Sequence, residues 1–276
     1  MTNRQSRRDQ NRQARRQKSR PQRGSSSSDP NNFSFDFKKY GFWIIAAGLA
    51  VGLLVVVIVL ANNRDDNSQL SEESQLFVEE LHEALVRIPT QLVSGQEMGS
   101  GDSPLVLEVF ADFQCPHCLR HAAIIEPEIV EKYVKTEKVR LVFKHFPVLG
   151  RESVLAASAA TCAGEQEKFW IYSNSLFKEK ARSGTEPPNR GLFSEENLIS
   201  IATDLGLDVE LFKRCQKSPE TLSAVSKNES LARQYGLTGT PSFILRNGEK
   251  AIVVNPASFE EWEAILDEQL ELVSEQ

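Results

Sequence analysis

From Gly41 to Ala61 the chain reads GFWIIAAGLAVGLLVVVIVLA, 21 residues without a charge. As a helix this run is about 31 Å long, the thickness of a bilayer's hydrocarbon core. Its many β-branched residues do not argue for a strand. In lipid a lone strand leaves its backbone N–H and C=O groups unpaired, whereas a helix pairs them internally. The expectation is one transmembrane helix over residues 40–61. A buried core helix is opposed by the lack of any polar position in the run. A cleaved signal peptide is opposed by its length, since signal cores hold roughly 7–15 apolar residues.

Charge orients the span. Of 32 basic and 38 acidic residues in the chain, 11 Lys or Arg and only Asp9, Asp29 and Asp36 fall in residues 1–39. The overall net charge of −6 therefore hides a basic tail joined to an acidic C-terminal part. Lys38 and Lys39 abut the apolar run, while Asp65, Asp66, Glu72 and Glu73 follow it. The positive-inside rule places the tail in the cytoplasm and the rest on the other side of the membrane. The tail is Gln, Arg, Asn, Ser and Pro, which cannot build a core and reads as disordered. Its basic run fixes topology and touches anionic membrane lipid, a reading preferred here to nucleic-acid binding.

Beyond residue 61 a polar stalk leads to an amphipathic helix from about Glu72 to Arg87, stopping before Pro89. Residues 90–103 read as a glycine-rich loop with a short strand at Leu92 and Val93. A strand at Leu105 to Phe110, a helix from Pro116 to about Lys135 and a strand at Val139 to Phe146 form a βαβ pattern with a parallel pair. Helical segments fill about 150–235: Ser153 to Cys162 running on through Glu165 to Glu179, then Glu195 to Leu205, Asp208 to Gln216 and Pro219 to Tyr235. Two short strands flank Asn247-Gly248, read as a hairpin turn because both residues accept positive φ. Ser258 and Glu261 have capping-box spacing before a last helix. This order describes one α/β domain over residues 90–276 with a helical insertion, behind residues 62–89 as stalk and short helix.

Cys115-Pro116-His117-Cys118 sits where the first strand meets its helix. Free N–H groups and the dipole at a helix start favour a thiolate at Cys115. Pro116 suits the first helical position, where its missing N–H costs no bond. His117 adds a donor or a positive charge, and Cys118, one turn in, is placed to close a short disulfide. Such a pair is redox-active: Cys115 attacks and is attacked, and Cys118 resolves. A purely structural bridge over two intervening residues would constrain the unfolded chain very little. A metal site from Cys115, His117, Cys118 and His121 is a weaker rival, so no metal or cofactor is expected.

Cys162 and Cys215 lie in predicted helices of the insertion, with 52 residues between them. An even cysteine count in an oxidising compartment predicts a structural disulfide between them, with a second redox relay as the alternative.

The segment VLEVFADFQCPHC, Val106 to Cys118, resembles the active-site start of the DsbA-like thiol–disulfide oxidoreductases of the thioredoxin-fold superfamily. CAGEQEKFW, from Cys162, is similar to the start of that family's helical domain. GLTGTPSFILRNG, from Gly236, is similar to its cis-proline strand and hairpin. The resemblance covers residues 90–273 and implies a thioredoxin-like fold with an inserted helical domain. It makes Thr240-Pro241 the cis-proline pair opposite the cysteines, with the Thr240 backbone pairing an extended substrate. Glu108 takes the place of the family's buried acid, accepting the Cys118 proton, with Asp112 as a nearby rival. Pro127 resembles the family's interruption of the active-site helix. Strong oxidants of the family carry Val before the cis-proline; Thr240 departs from them and is shared with isomerase-type relatives.

The function expected is oxidation of cysteines in exported proteins, with a quinone-linked membrane thiol oxidase as reoxidant. A disulfide reductase or isomerase is the first alternative. A membrane-anchored binding module or chaperone is the second.

Overall fold

The computed structural model describes residues 70–275. The basic tail, the apolar run at 40–61 and residues 62–69 of the stalk lie outside the described residues. Among the described residues no helix is long and apolar enough to cross a membrane.

The first element is α1 (Glu72–Arg87), opened by Ser71, whose hydroxyl accepts the Ser74 N–H at 3.2 Å. Pro89 follows directly and forbids another turn. Next, β1 (Val93–Ser94) and β2 (Glu97–Met98) pair around Gly95, whose φ is +54°. The single strand expected at Leu92 and Val93 is thus a small hairpin. The central strand is β3 (Leu105–Ala111). From Pro116 to Val134 the chain is helical in four pieces. They are α2 (Pro116–Arg120), a π turn (His121–Ile125), α3 (Glu126–Ile129) and a second π turn (Val130–Val134). Pro127 removes one backbone donor from the middle of this run, a local cause for departure from regular α geometry.

Strand β4 (Val139–His145) then leads into α4 (Arg151–Gly164) and α5 (Phe169–Arg182). The sequence reads as one helical stretch there, but Glu167 at φ +57° breaks it. The insertion continues with α6 (Glu195–Asp204), α7 (Val209–Gln216) and α8 (Pro219–Gln234). Ser194, Asp208 and Ser218 cap these three helices with their side chains. The chain ends in β5 (Ser242–Asn247), β6 (Lys250–Val254) and α9 (Phe259–Ser274). Asn247 pairs with Lys250, so the β5–β6 turn is Gly248-Glu249, and of the two residues expected to bend only Gly248 takes positive φ. The capping box forms: Ser258 accepts the Glu261 N–H, and the Glu261 carboxylate accepts the Ala257 N–H at 2.7 Å.

The strands form one sheet in the order β1-β2-β4-β3-β5-β6, with β3 parallel to β4 and antiparallel to β5. Alternation along β3 sends Leu105, Leu107, Val109 and Ala111 into the main core with Cys118. Phe110 goes to the opposite face, where it packs with Phe146, Ala232, Leu237 and Ile244. The helix α1, expected as part of the stalk, buries Phe77 and Leu81 in the main core. Its Leu81 carbonyl accepts the Asn174 amide at 2.7 Å, and Arg87 pairs with Glu128 at 2.6 Å. The disulfide Cys162–Cys215 is present, with Cα atoms 5.7 Å apart, and joins α4 to α7.

Candidate active site

β3 ends at Ala111, and the turn that follows brings Cys115 to the N-cap of α2 in extended conformation, φ −82° and ψ 122°. Its N–H bonds the Asp112 carbonyl at 3.0 Å, which fixes the turn. Cys115 and Cys118 are free thiols and both are buried, Cys115 at 5% exposure and Cys118 at 2%. Pro116 occupies the first turn of the helix, as its φ restriction and missing donor favour.

The two sulfurs differ in acidity. The Cys115 thiol is lowered to about 6 by a hydrogen bond from the Cys118 thiol, against the opposing effect of burial. The Thr240 side chain and the backbone N–H groups of Cys118 and His117 add to the lowering. While protonated, Cys115 Sγ donates to the Thr240 carbonyl at 3.2 Å. Cys118 moves the other way: burial first, then the neighbouring Cys115, push its pKa well above that of an ordinary thiol. The Asp112 N–H points at Cys118 Sγ from 3.5 Å. One sulfur is poised as a thiolate at neutral pH while its partner keeps its proton.

Thr240-Pro241 is a cis peptide bond, and Thr240 faces Cys115 across 125 residues of sequence. His117 reaches the sulfur through its backbone N–H; its side chain is exposed and makes no hydrogen bond among the described residues. The imidazole contact expected from the sequence is therefore an amide contact.

Glu108 is not behind the cysteines. It sits one residue before Val109 on β3, and a one-residue step turns a side chain to the other sheet face. Its register partner on β5 is Ile244, part of the opposite core. The Glu108 carboxylate accepts from Arg246 at 2.9 Å and pairs with Lys144 at 3.7 Å. The inward place between Leu107 and Ala111 belongs to Val109.

The acid near Cys118 is Asp112. Its carboxylate accepts the Gln114 N–H at 2.8 Å, the Ser153 hydroxyl at 2.7 Å and the Leu149 N–H at 2.9 Å. Burial raises its pKa and these bonds hold it down. Because Ser153 opens α4, this network ties the cysteine turn to the insertion. Two further charged groups have no sequence signal of their own. Glu126 lies in a cavity walled by Leu81, Ala84, Ile88 and Phe177; part of its surface meets water, yet burial pushes its carboxyl up to about 8. Lys180 is buried, its ammonium bonding the Gly184 carbonyl at 3.0 Å and the Ser183 hydroxyl at 3.3 Å.

Comparison with known proteins agrees with this geometry. A family model described as thioredoxin matches residues 91–268. A relative named "Probable disulfide bond formation protein D" from Bacillus cereus is 31% identical over 179 residues, covering 63% of this chain and 78% of its own. The structure of BdbD from Bacillus subtilis in its oxidised form superposes with a TM-score of 0.55 at 22% identity, over 65% of this chain and 98% of that one. Wolbachia pipientis alpha-DsbA1 gives 0.55 at 21% identity, over 67% and 96%. The two structures establish the fold.

Proposed function

We propose a direction and a client class for this enzyme from the premise that the chain belongs to the thioredoxin family matched over residues 91–268 and is a DsbA-like protein disulfide oxidoreductase. The direction is oxidation of cysteine thiols in exported proteins. In the oxidised enzyme Cys115 and Cys118 share a disulfide. A client thiolate attacks Cys115 Sγ, the Cys115–Cys118 bond breaks, and its electron pair goes to Cys118, which takes up a proton. A second client thiolate then attacks the client sulfur of the mixed disulfide and expels Cys115 as a thiolate. The client leaves oxidised and the enzyme reduced by two electrons.

One observation carries the direction: Cys115 is lowered to about 6 while Cys118 is raised. A stable Cys115 thiolate is a good leaving group in the second step, and it stabilises the reduced enzyme, which makes the disulfide more oxidising. Thr240 before the cis-proline favours the second reading, reductase or isomerase.

In this reading residues 41–61 anchor the enzyme by a single pass in the bacterial cytoplasmic membrane. The tail lies inside, and the catalytic domain lies on the periplasmic or extracellular side, where disulfides persist. A quinone-linked membrane thiol oxidase restores the disulfide. Eight residues, 62–69, lie between the run and the first described residue. The reduction potential of the full-length protein in detergent, measured against glutathione, tests the direction. A value near about −120 mV supports oxidation and one near about −270 mV supports reduction.

A further inference from the structure

A cleft of about 880 Å³ opens beside Cys115, and exchange between the two cysteines does not use it. One lip is the exposed start of α2, Pro116 and His117, which directly follow the reacting sulfur. The other side is the first turn of α1 and the exposed Thr185–Pro188 loop. The loop wall is pinned from beneath, because the buried Lys180 ammonium holds the Gly184 carbonyl and the Ser183 hydroxyl. A preformed wall saves the ordering cost of binding.

Arg120 lines this cleft one helical turn beyond His117. It is exposed and makes no hydrogen bond or ion pair among the described residues. The other two cations of the lining are committed, Lys180 to the loop and Arg182 to Glu179. The lining also holds two acids, Glu73 on α1 and Glu186 on the loop.

We infer that this cleft holds the extended client segment next to the attacking cysteine, and that Arg120 favours segments with an acidic side chain two to four residues from that cysteine. The inference rests on the oxidoreductase reading above. Continuity with the sulfur identifies the occupant: a client joined to Cys115 has its flanking chain against Pro116 and His117. An extended chain advances about 3.3 Å per residue and reaches the level of Arg120 within a few residues. Thr240, across Cys115, borders the other flank.

The test uses the oxidised full-length protein in detergent and two single-cysteine peptides, identical except for Glu or Lys three residues from the cysteine. Rates of mixed-disulfide formation are normalised to each protein's own rate with dithiothreitol. The wild-type protein is expected to favour the Glu peptide by about threefold or more, the size of an exposed charge contact. Arg120→Glu is expected to reverse the preference. Thr185→Trp, which fills the cleft from the exposed loop, is expected to slow both peptides at least threefold. Equal rates for the two peptides with wild type, or an unchanged preference in Arg120→Glu, overturn the inference. A wild-type protein that does not oxidise dithiothreitol at all overturns the oxidoreductase reading itself.

Discussion

Replacing Cys162 and Cys215 together by Ala removes the bridge between α4 and α7 and leaves the cysteine pair of the active site in place. The bridge closes a sequence separation of 53 residues. In the chain-entropy account, a loop of that length restricts the unfolded chain by about 4 kcal/mol at room temperature. Cys162 is 1% exposed, so its loss also costs some packing, although Ala is close in size. For a body of this size each kcal/mol corresponds to roughly 2–4 °C, so the melting temperature should fall by about 8–16 °C. The assay is thermal and denaturant unfolding of wild type and double variant, with single-turnover oxidation of a reduced client measured well below both transitions. The oxidation rate should stay within about twofold of wild type, because neither sulfur touches Cys115 or Cys118. A stability loss under about 1 kcal/mol would refute the loop-closure reasoning. A large drop in oxidation rate with the fold retained would make the pair a redox relay.

Glu108→Gln removes a carboxylate held by Arg246 and Lys144 on the sheet face away from the cysteines. Stability should fall by about 1–3 kcal/mol as those cations lose their partner, with client oxidation and its pH profile unchanged. A tenfold slower oxidation would return Glu108 to the proton path. Glu126→Gln should act oppositely on stability. The Glu126 carboxyl titrates at about 8 when folded, above its ordinary value, so the folded state keeps a proton that the unfolded chain has lost. Stability therefore falls as pH rises from about 4.5 to 8, and the Gln variant should be the more stable protein at pH ~9 by about 1–3 kcal/mol. Denaturant unfolding at both ends of that window checks it; a variant no more stable than wild type at the alkaline end would show that water already solvates the carboxylate.

The order of elements and most helix ends were legible because they depend on local chemistry. Ser71, Ser194, Asp208, Ser218 and Ser258 cap the helices they precede. Pro89 and Pro127 act where their backbone restrictions require. The cysteine pair was legible for the same reason, since its reactivity follows from a strand–helix junction that the sequence displays. The facing of Glu108 was not. β3 is covered on both faces, so VLEVFA is apolar on either side of Glu108 and shows no alternation from which its facing could be read. The break after Gly164 depends on one backbone angle at Glu167, a residue type that gives no turn signal. His117 was placed correctly in the chain but credited with a side-chain contact that its amide makes. Lys180, Glu126 and Arg120 take their character from elements distant in sequence, which pattern along one helix does not reveal.

The account stands on the ionisation of Cys115 in the reduced enzyme. Ultraviolet absorbance of the thiolate, followed with pH in the full-length protein and corrected with Cys115→Ala, reads it directly. The structure predicts a first transition at about 6 and no second thiolate until well above the ordinary range. A single transition near about 8.5, the value of a free cysteine, would contradict it.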